Sequence, residues 1–178
     1  MISSRVHGYT HDELDQACLP RPDCSHLAHE GISALGESMR PNHASWAAKV
    51  HERLPATPSR KGGPGIRVGA VASGDAPAGG TGDPALRPLL AAWPELAAVE
   101  LDGSNAARAI TQVRRAGRTH VPVSLVCGVA GTASAGVRVG SLRPDEDKPW
   151  KAYAADAAAT LIVEAIRLAW PTPPRRAG

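Results

Sequence analysis

Gly65-Ile66-Arg67-Val68-Gly69-Ala70-Val71-Ala72-Ser73-Gly74-Asp75 is a short apolar run that ends in small residues. A glycine-rich loop follows it, Ala76-Pro77-Ala78-Gly79-Gly80-Thr81-Gly82-Asp83. The β-formers Ile66, Val68 and Val71 predict a buried strand over residues 66–72. Pro84 suits the first turn of a helix, and Leu86, Leu89 and Leu90 give that helix, over 84–92, an apolar face; Pro88 would kink it or delay its start. Strand, glycine loop and helix form the junction at which α/β proteins hold ligands.

The same alternation continues outward. Residues 96–101 predict a second strand that ends at Asp102-Gly103. Ser104 or Asn105 caps a helix over 106–116, and Gly117 stops it. Residues 121–126 predict a third strand, entered through Pro122 and ending at Cys127-Gly128. Val137 and Val139, between Gly136 and Gly140, predict a short fourth. The charged segment 144–149 reads as a loop. A long helix over 150–170 follows, with Tyr153, Ala157, Leu161, Ala165 and Leu168 as its stripe and Ala158, Ile162 and Ile166 widening it. Strands alternating with helices imply an α/β fold: a small three-layer domain over 65–170 with a mostly parallel sheet of about four strands.

Residues 1–64 have a different texture. They hold His7, His11, His26, His29, His43 and His51, six of the seven histidines. Thr10 as cap and Glu13 three residues on predict a short helix at 9–14, stopped by Pro20 and Pro22. A weak helical pattern spans 25–39 through Leu27, Ile32 and Leu35. A better one spans 44–54, with Trp46, Val50 and Leu54 on one face. Residues 55–65 read as linker. The expectation is a loosely structured, His-rich N-terminal extension, and a disordered tail over 171–178.

Composition excludes some function classes. The net charge of +3 is modest and partly carried by Arg175 and Arg176, with no basic cluster interleaved with aromatics, so no nucleic-acid partner is expected. No apolar run is long enough to span a membrane, and the first ten residues have no apolar leader core. Three cysteines, an odd number, argue against a disulfide framework. A cytoplasmic location is expected.

Three groups of residues are candidates for chemistry. Cys18, Cys24, His26 and His29 are donors of the type zinc takes, although Cys-x5-Cys and Cys-x-His are not the short paired spacings of zinc modules. Gly74, Asp75, Gly79, Gly80, Thr81 and Gly82 form a loop whose backbone amides could cradle a phosphate or cofactor; its Gly-Gly-Thr-Gly run resembles a loop of molybdopterin-binding proteins. Asp75, Asp102 and Cys127, each at or just after a strand end, are the candidate catalytic groups. Asp75 also reads as an Asx turn, Asp102 as a solvated turn residue and Cys127 as an inert buried thiol.

The central stretch resembles the hydrogenase maturation proteases, nickel-dependent endopeptidases that trim the large subunit of nickel–iron hydrogenases. Gly74-Asp75-Ala76-Pro77-Ala78-Gly79-Gly80-Thr81-Gly82 follows the glycine spacing of the family's Gly-Asn-x-x-x-Gly-Asp-Asp-Gly. Val99-Glu100-Leu101-Asp102-Gly103 is similar to its second strand. Cys127-Gly128-Val129, with Ala135-Gly136 after it, follows its Asp-Ala-Val and Pro-Gly. The resemblance covers 66–140. The family's metal-contacting acids fall on Thr81 and Cys127, and no histidine follows His120. The resemblance therefore implies a degenerate relative, an accessory or partner-binding factor without the acids and histidine of the peptidase, for which nickel or zinc would be the metal. Two alternatives stand beside it: a small-molecule or phosphate/cofactor-binding protein using the 74–82 loop, and a metal-binding accessory protein using the Cys18/Cys24/His26/His29 group.

Overall fold

The computed structural model describes residues 1–28, 30–40, 43–53, 64–75, 84–101, 103–117, 124–129 and 144–169. Within them four strands form one sheet: β1 (Ile2–Asp12), β2 (Ala17–Leu27), β3 (Val68–Gly74) and β4 (Leu96–Leu101), in the order β2-β1-β3-β4. β1 pairs antiparallel with β2 and parallel with β3, and β3 pairs parallel with β4. The helices are α1 (Glu30–Ser38), α2 (His43–Arg53), α3 (Arg87–Ala92), α4 (Gly103–Arg115) and α5 (Pro144–Ala169). The fold is the expected α/β mix around a mostly parallel four-stranded sheet.

The membership of the sheet differs from expectation. The strand expected at 66–72 lies two residues later, and the one at 96–101 is where it was expected. Of the strand expected at 121–126, the described part contributes an isolated antiparallel bridge between Val126 and Ile2. The one around Val137 and Val139 lies outside the described residues. The two other strands come from the N-terminal region, and β1 is interior.

The short helix expected at 9–14 is not formed, and the reason is physical. A strand covered by helices on both faces is buried throughout and loses the alternation by which a half-buried strand is recognised. Val6, His7, Gly8 and Tyr9 are all buried in succession. The apparent capping pair Thr10 and Glu13 is overridden by Asp12, whose Oδ1 accepts the N–H groups of Leu14 at 2.9 Å and Asp15 at 3.3 Å. This Asx-type turn, with Gln16 at a φ of 49°, folds the chain back into β2. Pro20 and Pro22 do not stop a helix but lie in β2, the outer strand among those described, where a missing N–H is tolerated.

Alternate residues of β3 assign the helices to faces. Val68 packs against a cluster of Ile2, Met39, Trp46, Val50, Ile66, Ala157 and Leu161. Ala72, four residues on and so on the same face, belongs to a second cluster with Tyr9, Cys18, Leu86, Leu89 and Trp93. Helices α1, α2 and α5 thus gather at the start of that face and α3 at its end. Ser73 points the other way, and its Oγ accepts the N–H of Ser104 at the start of α4, 2.6 Å away. Fully buried aliphatics such as Val50 and Leu89 each contribute about 1.5–3 kcal/mol.

Four helices start elsewhere than expected: α1 begins at Glu30, because residues 25–27 belong to β2, and α4 begins at Gly103, which puts Ser104 and Asn105 inside its first turn. Residues 84–86 form a 3-10 turn and α3 begins at Arg87, which puts Pro88 in the first turn, where it costs no hydrogen bond. Helix α5 begins at Pro144, not near 150; a proline followed by Asp145, Glu146 and Asp147 suits a helix N-terminus. Its stripe is in the core through Ala157 and Leu161, with Tyr153 and Ala165 packed against it. The flank turns toward Ala154, Thr160 and Glu164, all buried, while Ile162, Ile166 and Leu168 are exposed. Lys49 Nζ lies 2.7 Å from Glu164 Oε1 and ties α2 to α5. No helix among the described residues is long and apolar enough to cross a membrane.

Candidate functional site

The parallel strands β1 and β3 end side by side, and Asp75, the first residue after β3, joins them. Its Oδ1 accepts the backbone N–H of His11 at 3.0 Å and its Oδ2 accepts the Thr10 hydroxyl at 3.0 Å. Burial pulls the Asp75 carboxyl upward, but the His11 N–H and the Thr10 hydroxyl outweigh it, and its pKa is lowered. The charge is therefore fixed where β3 ends beside β1.

Glycine is required just before it. A Cβ on Gly74 would run into the ring of Tyr9, so the backbone of β3 can lie against that ring only without a side chain. Tyr9 is buried. Burial pushes its phenol up, and the Cys18 thiol and the carboxylates of Asp75 and Glu100 act in the same direction. Beside this point Glu100 Oε1 accepts the N–H of Gly103 at 3.1 Å. With the Ser73 contact, two of the first amides of α4 already have partners within the chain. His11 Nδ1 is buried and has no hydrogen-bond partner.

The topology makes this edge special. From β1 the chain leaves toward β2 on one side and, after α1 and α2, pairs through β3 on the other. Open α/β sheets form a crevice at such a switch, outside the carboxyl ends of the strands.

The other candidates are dispersed. Cys127 sits against the opposite end of β1, its N–H donating to the Met1 carbonyl at 3.0 Å. It does not meet Asp75. Burial pushes the Cys127 thiol up, which keeps it protonated. Asp102, Gly79, Gly80, Thr81, Gly82 and His29 lie outside the described residues. Cys18 pairs across the hairpin with His11, whereas Cys24 lies against Gly8, three positions away along β1 or roughly 10 Å. His26 faces α4, with Nδ1 3.0 Å from Thr111 Oγ1. No group of three or more His, Cys, Asp or Glu that could hold a metal ion occurs among the described residues.

A second constellation had no signal in the sequence. His7 and Ser25 are cross-strand partners in β1 and β2, with His7 Nδ1 2.8 Å from Ser25 Oγ. The other ring nitrogen, Nε2, lies 3.6 Å from Glu95 Oε1. Trp93 stacks on the imidazole. Burial lowers the pKa of His7, as does Arg5, against the opposing pull of Glu95. The pairing depends on a register shift between His7 and Gly8. Pro22, Asp23 and Cys24 bulge out there, so counting along the strands would not align Ser25 with His7.

Comparison with protein-family models finds no match, and comparison with curated proteins finds none either.

Proposed function

We propose that this chain is a small-molecule-binding α/β protein whose site is the crevice at the carboxyl ends of β1 and β3. The observation that supports this is the Asp75 clamp, which ties the residue after β3 to Thr10 and His11 at the end of β1, at the switch point of the sheet. The ligand class that suits it is a phosphate-bearing or polyhydroxylated molecule, with Asp75 accepting hydroxyl protons and the amides of the 74–82 loop receiving the anionic part. An accessory role of the kind implied by the hydrogenase maturation protease resemblance is compatible with such a crevice. Binding is favoured over peptide cleavage because Asp75 and Cys127 occupy opposite ends of β1. A cytoplasmic location belongs to the same proposal, supported by three free cysteines.

Thermal shift with inorganic phosphate, nucleotides and pterin phosphates tests it. A ligand at about 100 times its Kd stabilises by about 2.7 kcal/mol, which for a chain of this size raises the melting temperature on the order of 5–10 °C. Asp75→Ala should abolish that shift. No shift with any of the three classes would defeat the proposal.

A further inference from the structure

We propose that Ser25 is the nucleophile of a second site, separate from the crevice, with His7 as its general base and Glu95 as the group that orients His7, and that it hydrolyses small carboxylic esters. A hydroxyl is a weak nucleophile until a neighbouring base takes its proton, and the arrangement that achieves this is a nucleophile and base in hydrogen-bond contact with a third group behind the base. That arrangement is present: 2.8 Å from Ser25 Oγ to His7 Nδ1, and 3.6 Å from His7 Nε2 to Glu95 Oε1.

The surroundings divide the roles. Ser25 is exposed on β2 and open to a substrate from solvent. His7 is 2 % exposed, between its strand neighbours and the stacked Trp93, so its ring is held in one orientation. For Nδ1 to accept the serine proton, Nε2 must carry the other. Nε2 is buried and has no hydrogen-bond partner, which is unusual for a ring nitrogen in a packed protein. Glu95 explains it: its side chain is 57 % exposed and is free to close the remaining gap when the ring becomes positively charged.

The chemistry balances without a redox partner. His7 Nδ1 takes the Ser25 proton as Oγ bonds to the ester carbonyl carbon and the carbonyl π pair moves onto oxygen. The tetrahedral species collapses, the C–O bond to the alcohol breaks, and the alcohol leaves with the proton held by His7. Water then attacks the acyl carbon, giving a proton to His7. Collapse breaks the bond to Ser25, which recovers that proton, and releases the carboxylic acid. Ser25 lies on an exposed strand, which suits small esters.

The test uses the intact chain with a fluorophosphonate probe and with p-nitrophenyl acetate. The expected result is a phosphonylated Ser25 located by peptide mass spectrometry, and hydrolysis that falls about 100-fold or more in Ser25→Ala and in His7→Phe. Ser25 is exposed, so Ser25→Ala keeps the fold; circular dichroism checks His7→Phe. Glu95→Gln should retain probe labelling at a rate reduced about tenfold and shift the acidic limb of the pH profile. Absence of label on Ser25, or equal hydrolysis by wild type and Ser25→Ala, overturns the proposal. Neither readout involves the β1–β3 crevice.

Discussion

The indole of Trp93 lies on the imidazole of His7, with ring centroids 4.3 Å apart and planes 18° from parallel. A titratable ring is thereby sealed between β1 and the turn that leads into β4. Its folded-state pKa is lowered, with burial as the main cause. The sign of the linkage follows. Below the ordinary value of 6.5 the unfolded chain takes up a proton that the folded chain refuses, so stability falls as pH drops from about 6.5 toward the folded value. His26, whose pKa is lowered by burial and by Arg115, adds to the same slope. His7→Phe, which can keep an aromatic stack on Trp93, should flatten part of the fall between pH 7 and 5, read by urea denaturation at each pH.

Asp75 acts in the same direction, over a more acidic range. Its folded pKa lies below the ordinary 3.8, so the stability it contributes is present above that value and is lost as pH falls through the folded value. Asp75→Ala removes two hydrogen bonds to an exposed carboxylate and should cost about 1 kcal/mol at pH 7. The cost should shrink as pH falls below 3.8, which a pair of denaturation series would show.

Burial separates two leucines. Leu89 is 0 % exposed under the sheet and Leu14 is 94 % exposed at the β1–β2 turn. Leu89→Ala should destabilise by about 2–5 kcal/mol, while Leu14→Ala should stay within about 0.5 kcal/mol. Chemical denaturation of the two variants under one condition checks the contrast.

Gly8 marks the tightest point of the hairpin. A Cβ there would meet the Cys24 Cβ at 2.5 Å and the Cys24 carbonyl oxygen at 3.3 Å. Gly8→Ala must push the bulge of β2 outward and should cost about 1–3 kcal/mol. Faster amide exchange in β2 than in β4 would locate the damage.

How much of this could be read in the residues depended on where each strand lies. β3 and β4 were legible because each is a short apolar run bounded by glycine or proline. Helix α2 was legible from its period, with Trp46 and Val50 buried on one face; α4 was legible as a helix but not in its facing, since the period points Ala109 and Val113 inward whereas both are exposed and Ala107 is buried. β1 was not, because an interior strand that buries His7 and Gly8 beside Val6 and Tyr9 has neither alternation nor an unbroken apolar run. β2 was hidden by Pro20 and Pro22, which only an outer strand tolerates. The site divides in the same way. Asp75 is visible in the sequence as the residue after a strand, but its partners Thr10 and His11 belong to β1, which carries no such pattern. The pairing of Ser25 with His7 requires both a hairpin and a bulge.

The parallel pairing of β1 with β3 also has a consequence in time. β2 follows β1 after a four-residue turn and can zip onto it at once. β3 is synthesised only after α1, α2 and the segment beyond them, so closing that contact carries the larger loop entropy. Until then the far edge of β1 is an open row of backbone donors and acceptors beside Val6, available to any neighbouring chain. Refolding yield should therefore fall with protein concentration even where the finished structure is stable. The vulnerable moment for this molecule comes in the interval before its middle strand acquires its second neighbour.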